Sequence, residues 1–176
     1  MTTTDARPLG TRDHADPGLP VMSRPTPRRL SRIAAQLAAR PDLWWGHVRF
    51  DAASRHYARI AAQETYEAWL LTWLPGQATG LHDHGDAFGA FTVLDGVLRE
   101  TTVTAGARGS EEIVRDLVRG RARSFGAAHL HDVANVGDIP AVSLHVYSPA
   151  LSVVRRYERS GERMRPVSFE TAGVDW

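Results

Sequence analysis

Short runs of alternating apolar and polar residues fill the chain from about Ser54 onward, with glycines and polar residues between them. Alternate side chains of a β-strand share one face of the sheet, so this period of two indicates strands. Many short strands at such spacing are typical of an antiparallel sandwich or barrel. We therefore predict a mainly β fold with strands at residues 56–60, 66–74, 89–94, 97–102, 112–117, 141–147 and 153–157.

The dipeptide Asp95-Gly96 lies between two of these runs. A type I′ turn needs a positive φ at both of its central residues, and Asp-Gly is a favoured pair there. The sequence therefore predicts a β-hairpin at this point.

The N-terminal part has a different pattern. Residues 1–24 are rich in Pro, Gly and Thr, and we expect a flexible segment. Leu30, Ile33, Ala34 and Leu37 then recur with a helical period, and Pro41 ends that helix. We predict helices over about 27–46, a β-barrel over about 54–176, and a single domain from 25 to 176.

Three histidines form the strongest chemical signal. His82 and His84 are two residues apart, and His131 follows in a later segment. A His-x-His pair on a strand aims two imidazoles at one point. A third histidine from a neighbouring strand would complete one face of a metal and leave other positions open to substrate and oxygen. This layout is typical of a redox metal site rather than a closed structural zinc site.

Composition excludes several classes of function. The 176 residues include no cysteine, and all 21 basic residues are arginine, so disulfides, cysteine nucleophiles and Schiff-base or P-loop lysines are absent. A net charge of +1 gives no electrostatic case for nucleic acid or anionic lipid. The chain shows neither an apolar run of about 18 residues nor the apolar stretch of a signal peptide. We therefore expect a cytoplasmic protein.

The glycines and histidines resemble the two cupin motifs: Gly76, His82, His84 and Gly96 fit the first, and Gly120, His131 and Asn135 fit the second. Most cupins carry a glutamate where this chain has Gly89, so a three-histidine site is expected. The second motif also departs from the pattern at Gly126 and Ala128.

Within the cupins, the chain resembles the cysteine dioxygenase family of thiol dioxygenases, in its bacterial branch. The resemblance runs from Pro41 to about Leu151 and rests on residues 57–59, 73–76, 81–84, 94–96, 131–135 and 141–149. It implies a cupin-type antiparallel β-barrel, jelly-roll-like, with a short N-terminal helical region. It also implies a monomer.

The resemblance implies that His82, His84 and His131 bind Fe(II), with a small-molecule thiol and O2 as the reactants. His129 forms a second His-x-His pair with His131, but the family pattern selects His131. Other histidines, at positions 14, 47 and 56, are expected to be structural or exposed.

Arg59 and Tyr57, which precede the first histidine motif in the chain, are expected to bind substrate. Arg59 would clamp the substrate carboxylate through its planar fork of donors, as the resemblance implies. An ordinary surface arginine is the alternative. Tyr57 shares the same strand face and would line the same pocket.

Ser143, His145 and Tyr147 alternate along one predicted strand. The resemblance implies a catalytic hydrogen-bonded relay that ends at the tyrosine hydroxyl, and a cis peptide at Ser148-Pro149. A hydrolase triad is rejected because no nucleophile elbow or acidic partner accompanies it. Animal members join the matching tyrosine covalently to a cysteine, which is Gly89 here, so Tyr147 must be positioned without that bridge.

The implied activity is oxidation of L-cysteine to cysteine sulfinic acid. Members that favour 3-mercaptopropionate tend to have glutamine where this chain has Arg59, whereas mercaptosuccinate would also need an arginine and stays open. The alternative from another class is a non-catalytic metal-binding cupin that acts as a ligand sensor.

Overall fold

The computed structural model describes residues 24–106, 109–161 and 163–173. Helix α1 spans Pro27–Ala38, and helix α2, Pro41–Trp44, continues into a 3-10 turn over Trp45–His47. Thr26 caps α1 by accepting a hydrogen bond from the backbone N–H of Arg29 at 3.3 Å. The N-terminal helical region is therefore as predicted, whereas the expected flexible segment, 1–24, falls almost wholly outside the described residues.

The rest of the described chain is β-structure in two antiparallel sheets. One sheet has the order β1-β2-β9-β4-β7 and the other has the order β11-β10-β3-β8-β5-β6. The strands are β1 (Tyr57–Ala62), β2 (Glu67–Trp73), β3 (His82–Asp83), β4 (Phe88–Asp95), β5 (Val97–Gly106), β6 (Gly109–Val118), β7 (Ala122–Phe125), β8 (Leu130–Ala134), β9 (Ala141–Ser148), β10 (Val153–Ser160) and β11 (Arg163–Thr171). The mainly β, jelly-roll-like cupin fold is confirmed.

Strands β2 and β9 are buried on both faces. On the outer face, Leu30 and Ala34 of α1 pack against Leu70 of β2 and Leu144 of β9. Complete burial of a leucine such as Leu30 contributes roughly 1.5–3 kcal/mol. Because α1 closes the outer face, the space between the sheets is left for the inner residues, which include the candidate site.

The predicted hairpin at Asp95-Gly96 is wrong. β4 belongs to the five-stranded sheet and β5 to the six-stranded sheet, so the chain turns a corner between sheets there. Gly96 has φ +74°, and a Cβ on it would lie 2.7 Å from the carbonyl oxygen of Pro140. The glycine is required, but close backbone approach at a sheet corner is the reason.

Four short or polar strands were not predicted from the sequence: β3, β7, β8 and β11. Two of them carry the histidines, and their pairing with distant strands gives them extended structure that their own pattern does not reveal. The Ser148-Pro149 peptide is cis, as the resemblance implied. Among the described residues, no helix combines the length and apolar character needed to cross a bilayer.

Candidate metal centre

The three predicted histidines meet between the sheets. His82 lies on β3 opposite His131 on β8, and His84 follows directly after β3. One ring nitrogen from each lies within 4.8 Å of the others, and the Nε2 atoms of His82 and His84 are 3.2 Å apart. All three side chains are buried. The strand pairing therefore brings together donors that are nearly fifty residues apart in sequence.

Hydrogen bonds hold two of these rings by their Nδ1 atoms. His82 Nδ1 is 2.9 Å from the carbonyl oxygen of Gly80, and His131 Nδ1 is 3.0 Å from Oε1 of Glu100. An oxygen that only accepts places the proton on Nδ1 and leaves the Nε2 lone pair for a ligand. His84 Nδ1 is buried and has no hydrogen-bond partner within the described part of the chain.

Burial keeps the histidines neutral. Desolvation, reinforced by the neighbouring histidines, lowers the pKa of His82 and His84 well below its ordinary value. Burial also lowers the pKa of His131, although Glu100 opposes that shift. Neutral imidazoles are the form that binds metal. Three of them in one cluster suit iron, zinc, copper or nickel, so the residues present fit the metal ion that the resemblance implied.

Glu100 lies behind His131, fully buried at 0% exposure. Its Oε1 accepts from both His131 Nδ1 and His129 Nε2, and its Oε2 accepts from Arg123 Nε at 2.7 Å. Burial alone would raise the pKa of Glu100, but the hydrogen bonds from His129, His131 and Arg123 outweigh it and hold the pKa well below its usual range. His129 thus lies beside the histidine cluster and contacts the Glu100 carboxylate. The sequence did not indicate Glu100 as part of the site.

Ser143, His145 and Tyr147 form a hydrogen-bonded series along β9. Ser143 Oγ is 2.8 Å from His145 Nε2, and His145 Nδ1 is 3.2 Å from the Tyr147 hydroxyl. Trp73, a fully buried residue of β2, donates its indole N–H to Ser143 Oγ at 2.9 Å. Tyr147 also lies beside the metal-site histidines, with its ring centroid 4.9 Å from that of His84.

A cavity opens onto the histidine cluster. The cavity is small, with a volume of about 30 Å³. The lining joins the three histidines to Tyr147 and to two arginines, Arg55 and Arg156. A cationic, small, partly enclosed site suits a small anionic ligand.

Arg59 is not among the residues that line this cavity. It lies on β1 with 56% of its side chain exposed, 3.7 Å from the carboxylate of Glu67 and over the Trp69 ring. Tyr57 likewise packs against the Trp69 ring, at 6.0 Å between centroids, rather than lining the cavity. Neither predicted substrate-binding residue is therefore among the residues that line the cavity.

Arg55 occupies the position that we expected for Arg59. Its guanidinium lies 4.7 Å from the centroid of the Trp73 ring, and its Nε and Nη1 are shielded from solvent with no hydrogen-bond partner among the described residues. Burial, and then repulsion from Arg156, lowers its pKa to about 10, so it stays charged at neutral pH.

The fold and the buried histidine cluster define a cupin with a metal-binding site. A Klebsiella pneumoniae protein with a double-stranded β-helix domain shares this fold, with a TM-score of 0.51 and 19% identity over 59% of this chain and 80% of that one. The family described as cysteine dioxygenase type I matches residues 28–160. The chain belongs to this family.

Curated relatives agree with this assignment. Cysteine dioxygenase type 1 of Bos taurus is 26% identical over an alignment of 137 residues, and the match covers 72% of this chain and 68% of the relative. The Rattus norvegicus protein of the same name is 29% identical over an alignment of 134 residues, and the match covers 70% of this chain and 66% of the relative. The chain thus spans about two thirds of the length of these relatives.

Proposed function

We propose that this protein is a non-haem iron thiol dioxygenase that converts L-cysteine to cysteine sulfinic acid. Both atoms of O2 are added to the thiol sulfur, so the atoms and electrons balance without an external reductant. The observation that carries the proposal is the convergence on one small cavity of three neutral histidines, a tyrosine relay and a guanidinium whose Nε and Nη1 have no hydrogen-bond partner in the described part of the chain.

His82, His84 and His131 would hold the iron as three neutral donors. A ferrous ion in this position supplies the redox chemistry that joins oxygen to sulfur. The protein contributes a buried, preformed cluster, because all three rings are buried and two are fixed by hydrogen bonds at Nδ1. Preformed ligand geometry of this kind favours metal binding and controls which positions stay open.

Arg55 would anchor the substrate carboxylate. A buried guanidinium with unpaired N–H groups is costly, and a carboxylate from the ligand can satisfy it with a bidentate pair. The face of Trp73 holds this guanidinium in place, which reduces the freedom that binding would otherwise have to remove. We therefore assign to Arg55 the role that the sequence resemblance gave to Arg59.

The relay on β9 would present a hydroxyl proton to the cavity. Trp73 can only donate, so Ser143 accepts from it and its own proton is free for His145 Nε2. A neutral His145 then carries its proton on Nδ1 and donates it to the Tyr147 oxygen. Burial lowers the pKa of His145 and raises that of Tyr147, which keeps both in these protonation states. The Tyr147 proton is left to donate to a bound reactant.

Charge pairing at the second arginine favours a thiol with one carboxylate. Arg156 is already bound at Nε and Nη2 by both oxygens of Glu170, and it also donates to the Thr79 carbonyl. A dicarboxylate such as mercaptosuccinate would have to displace Glu170. 3-Mercaptopropionate carries one carboxylate and remains the closer alternative to cysteine.

Oxygen consumption by the iron-loaded protein tests the proposal. Cysteine, 3-mercaptopropionate and mercaptosuccinate are each supplied, and the sulfinic acid product is measured against the oxygen consumed. We expect one O2 per sulfinate and the highest kcat/KM with cysteine. No oxygen uptake with any thiol, despite stoichiometric iron, would instead favour the ligand-sensing cupin.

A further inference from the structure

Glu100 is a buried charge that substrate binding and the tyrosine relay do not use. It lies on β5, beside β8 in the same sheet, with its side chain fully buried. Its two oxygens accept three hydrogen bonds, from His131 at 3.0 Å, from His129 at 3.2 Å and from Arg123 at 2.7 Å. A buried carboxylate is tolerated only when its oxygens are paired in this way, so the geometry of all four side chains is interdependent.

We infer that Glu100 is a positioning residue for the metal centre, and that His129 and Arg123 hold Glu100 in place. The carboxylate fixes His131 with its Nδ1–H outward and its Nε2 toward His82 and His84. A flipped ring would remove this hydrogen bond from a fully buried acceptor, which disfavours the flip. This inference rests on the three-histidine metal site and not on the substrate or the reaction.

The competing interpretation is a metal held by Glu100, His129 and His131 themselves, whose donor atoms also lie within 4.8 Å of one another. Arg123 counts against it, because its guanidinium ion-pairs with the same carboxylate. The Nδ1 atom of His131 would also have to exchange its proton for the metal. His129 is instead held by its hydrogen bond and by stacking on Phe125, with ring centroids 4.5 Å apart.

The test measures metal affinity and ring tautomer rather than turnover. Glu100→Leu removes the acceptor, and Glu100→Gln keeps an acceptor but loses the charge. Glu67→Gln is the matched control, since Glu67 is another buried carboxylate, and its oxygens meet the backbone N–H of Leu151 and the Arg59 guanidinium rather than His131. Co(II) titrations give the dissociation constant and the ligand-field spectrum, and ¹⁵N NMR of the metal-free protein gives the His131 tautomer.

We expect Glu100→Leu to raise the Co(II) dissociation constant about 10- to 100-fold and Glu100→Gln to raise it less. The Nδ1–H tautomer of His131 should lose its dominance in Glu100→Leu, while Glu67→Gln matches the unmodified protein. Unchanged affinity and tautomer in a folded Glu100→Leu variant would overturn the inference. Should Glu100→Leu not fold, the same two readouts on Glu100→Gln decide it.

His129→Gln separates the two interpretations. Glutamine keeps an N–H donor for Glu100 but removes the imidazole, so Co(II) affinity and spectrum should stay close to those of the unmodified protein. Loss of Co(II) from His129→Gln would show that the metal lies between Glu100 and His129, and the positioning role would be wrong. Neither outcome depends on oxygen uptake, so a failure here is distinguishable from a failure of the dioxygenase proposal.

Discussion

Phe125 fills the space that a side chain at Gly89 would occupy: a Cβ built on Gly89 lies 2.3 Å from Cε2 and Cζ of the Phe125 ring. Gly89 is also the cross-strand partner of Tyr147. The phenylalanine ring stacks on His84 with centroids 5.3 Å apart. An aromatic ring therefore packs where animal relatives carry a cysteine joined to their tyrosine.

Gly89→Cys should destabilise the protein by about 1–3 kcal/mol, because the added atoms overpack the Phe125 ring. Urea unfolding measures the change in the free energy of unfolding. Gly126→Cys is the control, since a Cβ there meets nothing within 4 Å. The cysteine should destabilise the protein less once the Phe125 ring is removed. The loss of unfolding free energy from Phe125→Ala to Gly89→Cys/Phe125→Ala should therefore be smaller than the loss from the unmodified protein to Gly89→Cys. Equal stability of Gly89→Cys and the unmodified protein would contradict this packing argument.

Arg55→Ala should lower kcat/KM for cysteine roughly 10- to 100-fold, chiefly through KM. The reason is that hydrogen bonds to a charged group contribute about 1.5–3 kcal/mol. Arg59→Ala is the matched control, because Arg59 is exposed and lies outside the cavity lining. Steady-state oxygen uptake with each iron-loaded variant gives the comparison. A large effect of Arg59→Ala with little effect of Arg55→Ala would return the clamp to the residue that the sequence indicated.

Tyr147→Phe should lower kcat while iron content and KM change little. The ring that packs beside His84 is kept, and only the hydroxyl that ends the relay is lost. Removal of a general acid typically costs about 10²-fold or more in rate. Trp73→Phe should lower kcat by a smaller factor, because the other members of the relay remain but Ser143 loses the donor that sets its direction.

Tyr66→Phe is the control for both aromatic variants, since Tyr66 packs with the outer cluster against α1. Oxygen uptake and iron analysis are measured on the same preparations. If Tyr147→Phe retained full kcat, the relay would have no part in the reaction.

The sequence singled out the three histidines that meet in the structure, because a His-x-His pair and a matched histidine motif are visible along the chain. It could not predict Arg55, since nothing in the pattern distinguishes a buried arginine from the exposed Arg59 four residues later. The sequence also did not predict Glu100, because its contact with His131 arises from the pairing of β5 with β8 and no sequence motif indicates it. The hairpin prediction at Asp95-Gly96 was wrong because these turn residues fit a hairpin and a sheet corner equally well. Only the assignment of β4 and β5 to different sheets decides between the two.

The metal-free protein should lose stability as the pH falls below about 6.5. Burial lowers the pKa of His82, His84, His131 and His145 in the folded state, whereas unfolded histidines titrate near 6.5. Between those values the unfolded chain binds more protons than the folded one, so acid favours unfolding. Each histidine that stays neutral contributes a slope of up to about 1.4 kcal/mol per pH unit.

Urea unfolding of chelator-treated protein from pH 7.5 to 5 measures this slope. His145→Gln removes one buried histidine and should reduce the slope by up to about 1.4 kcal/mol per pH unit, the contribution of one proton. This change in slope is expected whatever the effect of the substitution on stability at pH 7.5. Glu100 contributes little to the slope in this window: its pKa is lowered on folding, so its stabilising effect is complete above the usual carboxyl range and is lost only as the pH falls through that range and below it. A free energy of unfolding that stayed constant from pH 7 to 5 would mean that these rings are protonated inside the folded protein, and the neutral donor set would have to be abandoned.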